Sequence, residues 1–200
     1  MAITYPLSLL THTGFESIEL RAINAVAISR SPFTFNTQVH AYQGEMWQAD
    51  ITLPPMPRED AERWVAWLVS LRGQYGTFLL GDPLGAAPRG TATALTVNGS
   101  TGDRTVGATV ASGKTLLAGD YIQLGGGGGA TLHKVLVDYT GTGAETDLEI
   151  WPALRIDRTS AVATLNNPQG VFRLSSNEQV WDINNTSFYG ITFGAMEAIT

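Results

Sequence analysis

Hydrophobic and polar positions alternate with a period of two over most of this chain and switch to a helical period once. Trp47, Ala49, Ile51 and Leu53 alternate with Gln48, Asp50 and Thr52, the pattern of a strand with one buried face. Pro54 and Pro55 end that strand, because proline donates nothing to a ladder. Pro57 then takes the first helical position, with Glu59, Asp60 and Glu62 in the first turns, where acids complement the positive helix end. Ala61, Trp64, Leu68 and Leu71 share one face at helical spacing, flanked by Val65 and Trp67. Arg72 in the last turn and Gly73 after it close a helix predicted over 57–72. Residues 77–80 form a second apolar run, turned by Gly81, Asp82 and Pro83. A strand, helix and strand so closely linked predict one helix lying against an antiparallel sheet or barrel.

The flanking regions read as extended. Ile18 and Leu20 alternate with Glu19 and Arg21, Val26 and Ile28 with Ala27 and Ser29, and Phe33 and Phe35 with Thr34 and Asn36. The composition changes after Pro88, Arg89 and Gly90. Residues 91 to about 165 are rich in Gly, Thr, Ala and Val and hold both lysines, Lys114 and Lys134. Short strands are expected there at 94–97, 116–124, 131–137 and 148–151, each bounded by Gly, Asp, Asn or Pro. Residues 166–200 change back, with strands expected around Val171 and Arg173, at 179–183 and at 188–196. The expected fold class is mainly β: a barrel or sandwich with one flanking helix, formed by 1–90 and 166–200, and an inserted small all-β domain at 91–165.

Composition narrows the classes. A hydrophobic fraction of 44% and a charged fraction of 15% in 200 residues describe one or two globular domains with a real core. A net charge of −6 argues against duplex nucleic acid as a direct ligand, though an acidic ring around passing DNA would not stick to it. The absence of cysteine excludes disulfides, zinc–thiolate sites and thiol catalysis. The N-terminal stretch lacks a basic region and a long apolar core, so it does not read as a signal peptide. No apolar run approaches the roughly 20 residues that span a bilayer. Folding in a cytoplasm is expected, and the sequons at Asn98, Asn184 and Asn185 then mean little.

Candidate chemistry is sparse. Gly107 to Lys114 and Thr115 imitate a phosphate loop, but five residues separate Gly107 from Gly113 where four are needed, and strand residues follow instead of a helix. Five consecutive glycines, 125–129, read as a hairpin loop; close approach to a ligand or ordering at a subunit contact are the other readings. His12, His40 and His133 have no paired spacing for a metal. Glu145, Asp147 and Glu149 share a strand face, which reads as solvated, since a calcium site takes a loop with more oxygen ligands. No nucleophile elbow and no selected acid pair are present. The expectation is therefore no enzyme, with no catalytic, cofactor-binding or metal-binding residue and no cofactor. Of the five tryptophans, Trp47 and Trp64 fall on core faces, Trp67 lies at the helix margin where a neighbouring subunit would fit, and Trp151 and Trp181 are undecided between packing and sugar stacking.

Segment 44–83 resembles the distal tail protein and minor tail protein group of long-tailed, siphovirus-like bacteriophages. The matching residues are Trp47, Leu53-Pro54-Pro55-Met56, Asp60-Ala61, Trp64, Leu68, Leu71-Arg72-Gly73, Gly76-Thr77-Phe78 and Gly81-Asp82-Pro83. The terminal strand around Ile191 to Glu197 fits as well, and the resemblance extends over about 120 residues, with 91–165 outside it. None of these motifs is catalytic; each is a folding signature. The resemblance implies a tail-tube-like subunit of the virion tail, assembled in the host bacterial cytoplasm. It implies a homo-oligomer, a hexameric ring, that joins the tail tube protein to the tail tip hub or baseplate proteins. DNA would pass through the lumen without specific binding, and no membrane insertion is implied. The alternative reading is a carbohydrate- or receptor-binding module of the tail tip, carried by the inserted domain.

Overall fold

A computed structural model describes residues 2–11, 13–183 and 188–199. It is mainly β, with a single α-helix among those residues. The first sheet elements are β1 (Ser17–Arg30), β2 (Thr37–Thr52) and the short β3 (Met56–Pro57), followed by α1 (Arg58–Ser70) and β4 (Phe78–Leu80). Next come β5 (Thr96–Gly99), β6 (Thr105–Thr109), β7 (Thr115–Leu116), β8 (Tyr121–Leu124), β9 (Thr131–Val135), β10 (Tyr139–Thr140), β11 (Glu145–Trp151) and β12 (Arg158–Thr164). The chain closes with β13 (Gly170–Leu174), β14 (Trp181–Ile183) and β15 (Phe188–Glu197).

These strands form two bodies. One is an antiparallel sheet ordered β1-β2-β15-β13-β4, with β3 and β14 also pairing to β15. The other is a closed barrel ordered β11-β6-β5-β12-β8-β9, with β7 and β10 paired beside it. The terminal strand pairs Phe193 with Ile51 and Ala195 with Ala49, so the last strand of the chain sits beside β2 at the centre of the sheet.

The helix covers the sheet. Ala61, Trp64, Leu68 and Leu71 are buried, as the helical spacing predicts. Trp64 packs near Phe193 and Phe15, at 6.2 and 6.5 Å between ring centroids. Trp67 is also buried, 5.1 Å from Phe78, and its Nε1 donates to the Ser8 carbonyl at 3.0 Å. The margin position expected to meet a neighbouring subunit is thus filled from within the chain. The N-terminal segment does this: Leu7 exchanges backbone hydrogen bonds with Thr77 and Leu79, and the Tyr5 hydroxyl donates to the Ser70 carbonyl. Pro57 is the cap of the helix, in extended conformation, and not its first turn; the same residue pairs with Phe188 of β15. Arg72 and Gly73 both take left-handed conformations after the helix, with φ of 53° and 67°. A Cβ on Gly73 would meet Asn177 Oδ1 at 2.6 Å, so glycine there serves both the turn and the packing.

The barrel core is made of small and branched residues, among them Val97, Val106, Ala108, Ile122, Leu124, Leu148 and Ile150. The expected strand over 116–124 is broken in two. Asp120 makes the break: its carboxylate accepts hydrogen bonds from the backbone amides of Leu117, Arg89 and Gly90 at 2.8 to 3.2 Å. Burial alone would raise this carboxyl group, but the three amides and the Arg89 side chain outweigh it and hold it below the usual range. Three further strands, β6, β10 and β12, carry no strong sequence signal, since Gly, Ala and Thr dilute their apolar period.

Candidate interaction surface

β1 and β2 continue past the sheet as a two-stranded arm. From Arg21 to Gly44 every residue is exposed except Ser31, which is half-buried. The ladder pairs Val26 with Ala41, Ile28 with Val39 and Arg30 with Thr37, after a register shift between Asn24 and Val26. By the period of two, Val26 and Ile28 lie on the side of β1 that carries Leu20, Ala22 and Asn24. In the sheet that side is covered, with Ile18 and Leu20 packed against the hydrophobic core. Beyond the bulge the same apolar side has nothing on it.

Phe33 and Phe35 belong to the tip of this arm, not to an extended strand. The Ser31 hydroxyl accepts from the Phe33 and Thr34 amides at 3.3 Å, Phe35 N donates to the Ser31 carbonyl, and Ser31 N donates to the Asn36 carbonyl. Phe35 takes a left-handed φ of 57°, and the Arg30 guanidinium sits 4.6 Å above its ring. Phe33 points outward, 92% exposed. The local bonding of Ser31 competes with the ladder, which the alternation of residue types does not reveal.

A groove of about 350 Å³ lies at the base of the arm, between the sheet and the barrel. Leu20, Ala22 and Asn24 line it from the arm, and Tyr121, Leu136 and Trp151 from the barrel. Trp151 stands edge-on to Trp47 with centroids 4.5 Å apart, and its Nε1 donates to Asn24 Oδ1 at 2.8 Å. Trp47 Nε1 donates to the Leu132 carbonyl, and Lys134 Nζ lies 4.4 Å over the Tyr121 ring.

Two buried carboxylates fix the joint beneath this groove. Glu45 accepts from Arg104 Nε at 2.8 Å and from the Ala153 amide at 2.7 Å. Glu197 accepts from Arg155 Nη2 at 2.7 Å and from the Trp47 amide at 3.1 Å. Arg155 also donates to the Glu45 carbonyl, so β2, β15 and the barrel share one charge-assisted network. No spacing in the sequence announces it; its members lie at 45, 104, 155 and 197.

The other positions singled out by sequence are dispersed. Gly107 to Thr115 runs from β6 through a turn to β7, where Gly113 N and Lys114 N are taken by the Gly141 and Ala111 carbonyls and no helix follows. The 125–129 glycines make the β8–β9 loop with a 3₁₀ turn at Gly127–Gly129. Glu145 and Glu149 face the neighbouring strands and accept hydrogen bonds from Asn98 and Thr105. His133 is fully buried in the barrel, its ring nitrogens placed by the Pro152 carbonyl and the Thr131 hydroxyl, whereas His40 is exposed on the arm. His12, Asn184 and Asn185 lie outside the described residues. Trp181 is exposed on β14. Among the described residues no cluster of metal-ligating side chains occurs, and no helix is long and apolar enough to cross a membrane. No family model matches the chain, and no curated protein matches it.

Proposed function

We propose that this chain is a structural subunit of a bacteriophage tail, a distal tail protein whose copies form a hexameric ring. The ring joins the tail tube to the tail tip or baseplate hub, and DNA passes through its lumen. The observation that carries this reading is the arm. An isolated two-stranded ribbon is marginal in water, yet this one extends from the sheet with Val26, Ile28, Val39 and Tyr42 exposed. Exposed apolar surface in a continuous patch marks a site that a partner covers. An arm and the surface that receives it differ, so copies that each pass the arm on to the next make a heterologous contact, which closes into a ring when the rotation permits. The resemblance of segment 44–83 to tail proteins supplies the setting in which such a ring functions.

The module alternative rests on Trp151 as a sugar platform. That ring is packed against Trp47 and bonded to Asn24, which ties it to the joint between the two bodies. The ring reading is tested by light scattering and electron microscopy of the purified protein, alone and with the tail tube protein. Six-fold rings are expected. A chain that stays monomeric in both samples and forms no rings overturns the reading.

A further inference from the structure

We propose that the barrel aims the arm: barrel residues 151–155 clamp a hinge at the base of the arm, so that arm and barrel turn as one. The inference does not depend on the ring reading.

The ladder contains the hinge. Asn24 lies opposite Glu45 and Val26 opposite Ala41, so Ala25 alone on β1 faces Tyr42, Gln43 and Gly44 on β2. A bulge of this kind interrupts pairing and bends the ribbon. Gly44 sits inside it, and a Cβ there would come within 3.0 Å of the Ala25 Cβ. The two strands thus approach closely where their ladder is weakest. Beyond this point every side chain of the arm is exposed except that of Ser31, so no core packing fixes the arm's direction.

Both flanks of the hinge are gripped from the barrel. The chain leaving β11 does this with alternate residues. Trp151 Nε1 donates to Asn24 Oδ1 on β1 at 2.8 Å. The Ala153 amide donates to the Glu45 carboxylate on β2 at 2.7 Å, and Arg155 donates to the Glu45 carbonyl. Arg155 also reaches Glu197 on β15, and Arg104 Nε, just before β6, donates to the second oxygen of Glu45. One short segment of the barrel therefore holds three neighbouring strands of the sheet. Glu45 is buried, and its bond to Arg104 is of the stronger, charge-assisted class.

Leverage gives the clamp its effect. From Asn24 to Arg30 the arm runs six residues, about 20 Å at ~3.4 Å per residue. A tilt of about 10° at the hinge moves the tip by roughly 3–4 Å on such a lever, about the reach of one side-chain contact. A small shift of the barrel is therefore amplified at the tip, as in other packed elements that move as units.

The test reads the direction of the arm. With no native cysteine, spin labels go on Thr34→Cys at the tip and Val69→Cys on α1, both exposed. Pulsed dipolar spectroscopy then gives their distance distribution, with the labelled chain diluted in unlabelled chain. A second pair, Val69→Cys with Val162→Cys on β12, reports the barrel against the sheet. One narrow distance is expected from each pair. Asn24→Ala and Trp151→Phe remove the same hydrogen bond from opposite sides. Each should broaden the first distribution several-fold and leave the second narrow, and the two together should do no more than either. Asn24→Asp keeps the acceptor and should restore the narrow distance. Asn24 is exposed, so its variants should melt at the wild-type temperature, which separates loss of aim from loss of fold. A first distribution that is broad before any clamp residue is changed overturns the proposal. So does one that stays narrow in both Asn24→Ala and Trp151→Phe.

Discussion

Replacing Trp64 by alanine tests whether the helix is held to the sheet by its aromatic face. Trp64 is fully buried, with Trp67 5.5 Å away and Phe193 and Phe15 near it. Its Nε1 donates to Thr13 Oγ1 at 2.8 Å. Large aromatic-to-alanine changes in cores cost about 3–5 kcal/mol, the transfer term plus the cavity left behind. The hydrogen bond contributes about 1 kcal/mol of this, because Thr13 is half-buried and regains water when released. Domains of this size lose about 2–4 °C of melting temperature per kcal/mol, so a fall of roughly 6–20 °C follows. The assay is urea unfolding by circular dichroism with a calorimetric scan. Trp64→Phe separates the two contributions: it keeps most of the ring and loses the hydrogen bond. A loss under about 1 kcal/mol for Trp64→Ala would refute the reasoning, since only surface substitutions cost so little.

Two further outcomes follow from buried charge. Burial pushes His133 down to about 4, the neighbouring Arg155 and Arg158 adding to the effect against the opposing hydrogen bond to Pro152. A depressed pKa means that stability is fully present above the unfolded value near 6.5 and is lost as pH falls toward 4. On the order of 3 kcal/mol should disappear over that window, and His133→Gln should flatten it; an unchanged slope in the variant would reject His133 as the source. Glu45→Ala strands the Ala153 amide and removes the partner of Arg104, which is half exposed, so a cost of about 1–3 kcal/mol is expected by denaturation. A loss within experimental error would mean that the joint does not hold the barrel.

The strand–helix–strand unit is legible because each residue type agrees with its place. Trp47, Ala49 and Ile51 alternate into the core, and Trp64 and Leu68 recur at helical spacing. The arm is legible only as strand. Period-two alternation at Val26 and Ile28 announces an apolar face but cannot say that no element of the same chain covers it. Phe33 and Phe35 keep the same alternation through a turn that Ser31 imposes. In the barrel, β6 and β12 escape because Gly107, Ala108 and Ala161 pack closely without the bulk that marks a strand. The groove is beyond any local pattern, since its walls come from residues near 20, 121, 136 and 151 and meet only through the fold.

An arm with open edges and an apolar face risks indiscriminate pairing before assembly, and the same geometry limits that risk. The register shift, with Asn24 opposite Glu45 and Val26 opposite Ala41, puts the extra residues on β2, and such a bulge bends and twists the ladder where it leaves the sheet. Near the base, Arg21 bridges Glu19 and Asp50 on the polar side. Such exposed pairs contribute little stability, but they set charges along the edge that another strand would have to desolvate. What is left uncovered is the outer apolar side, Val26 and Ile28 with Val39, and the rigid tip. Charges along the edge and an uncovered apolar face favour cover by a partner's surface over strand-by-strand addition. Removing the register shift should therefore increase aggregation, read by light scattering, and unchanged scattering would reject this role for the bulge.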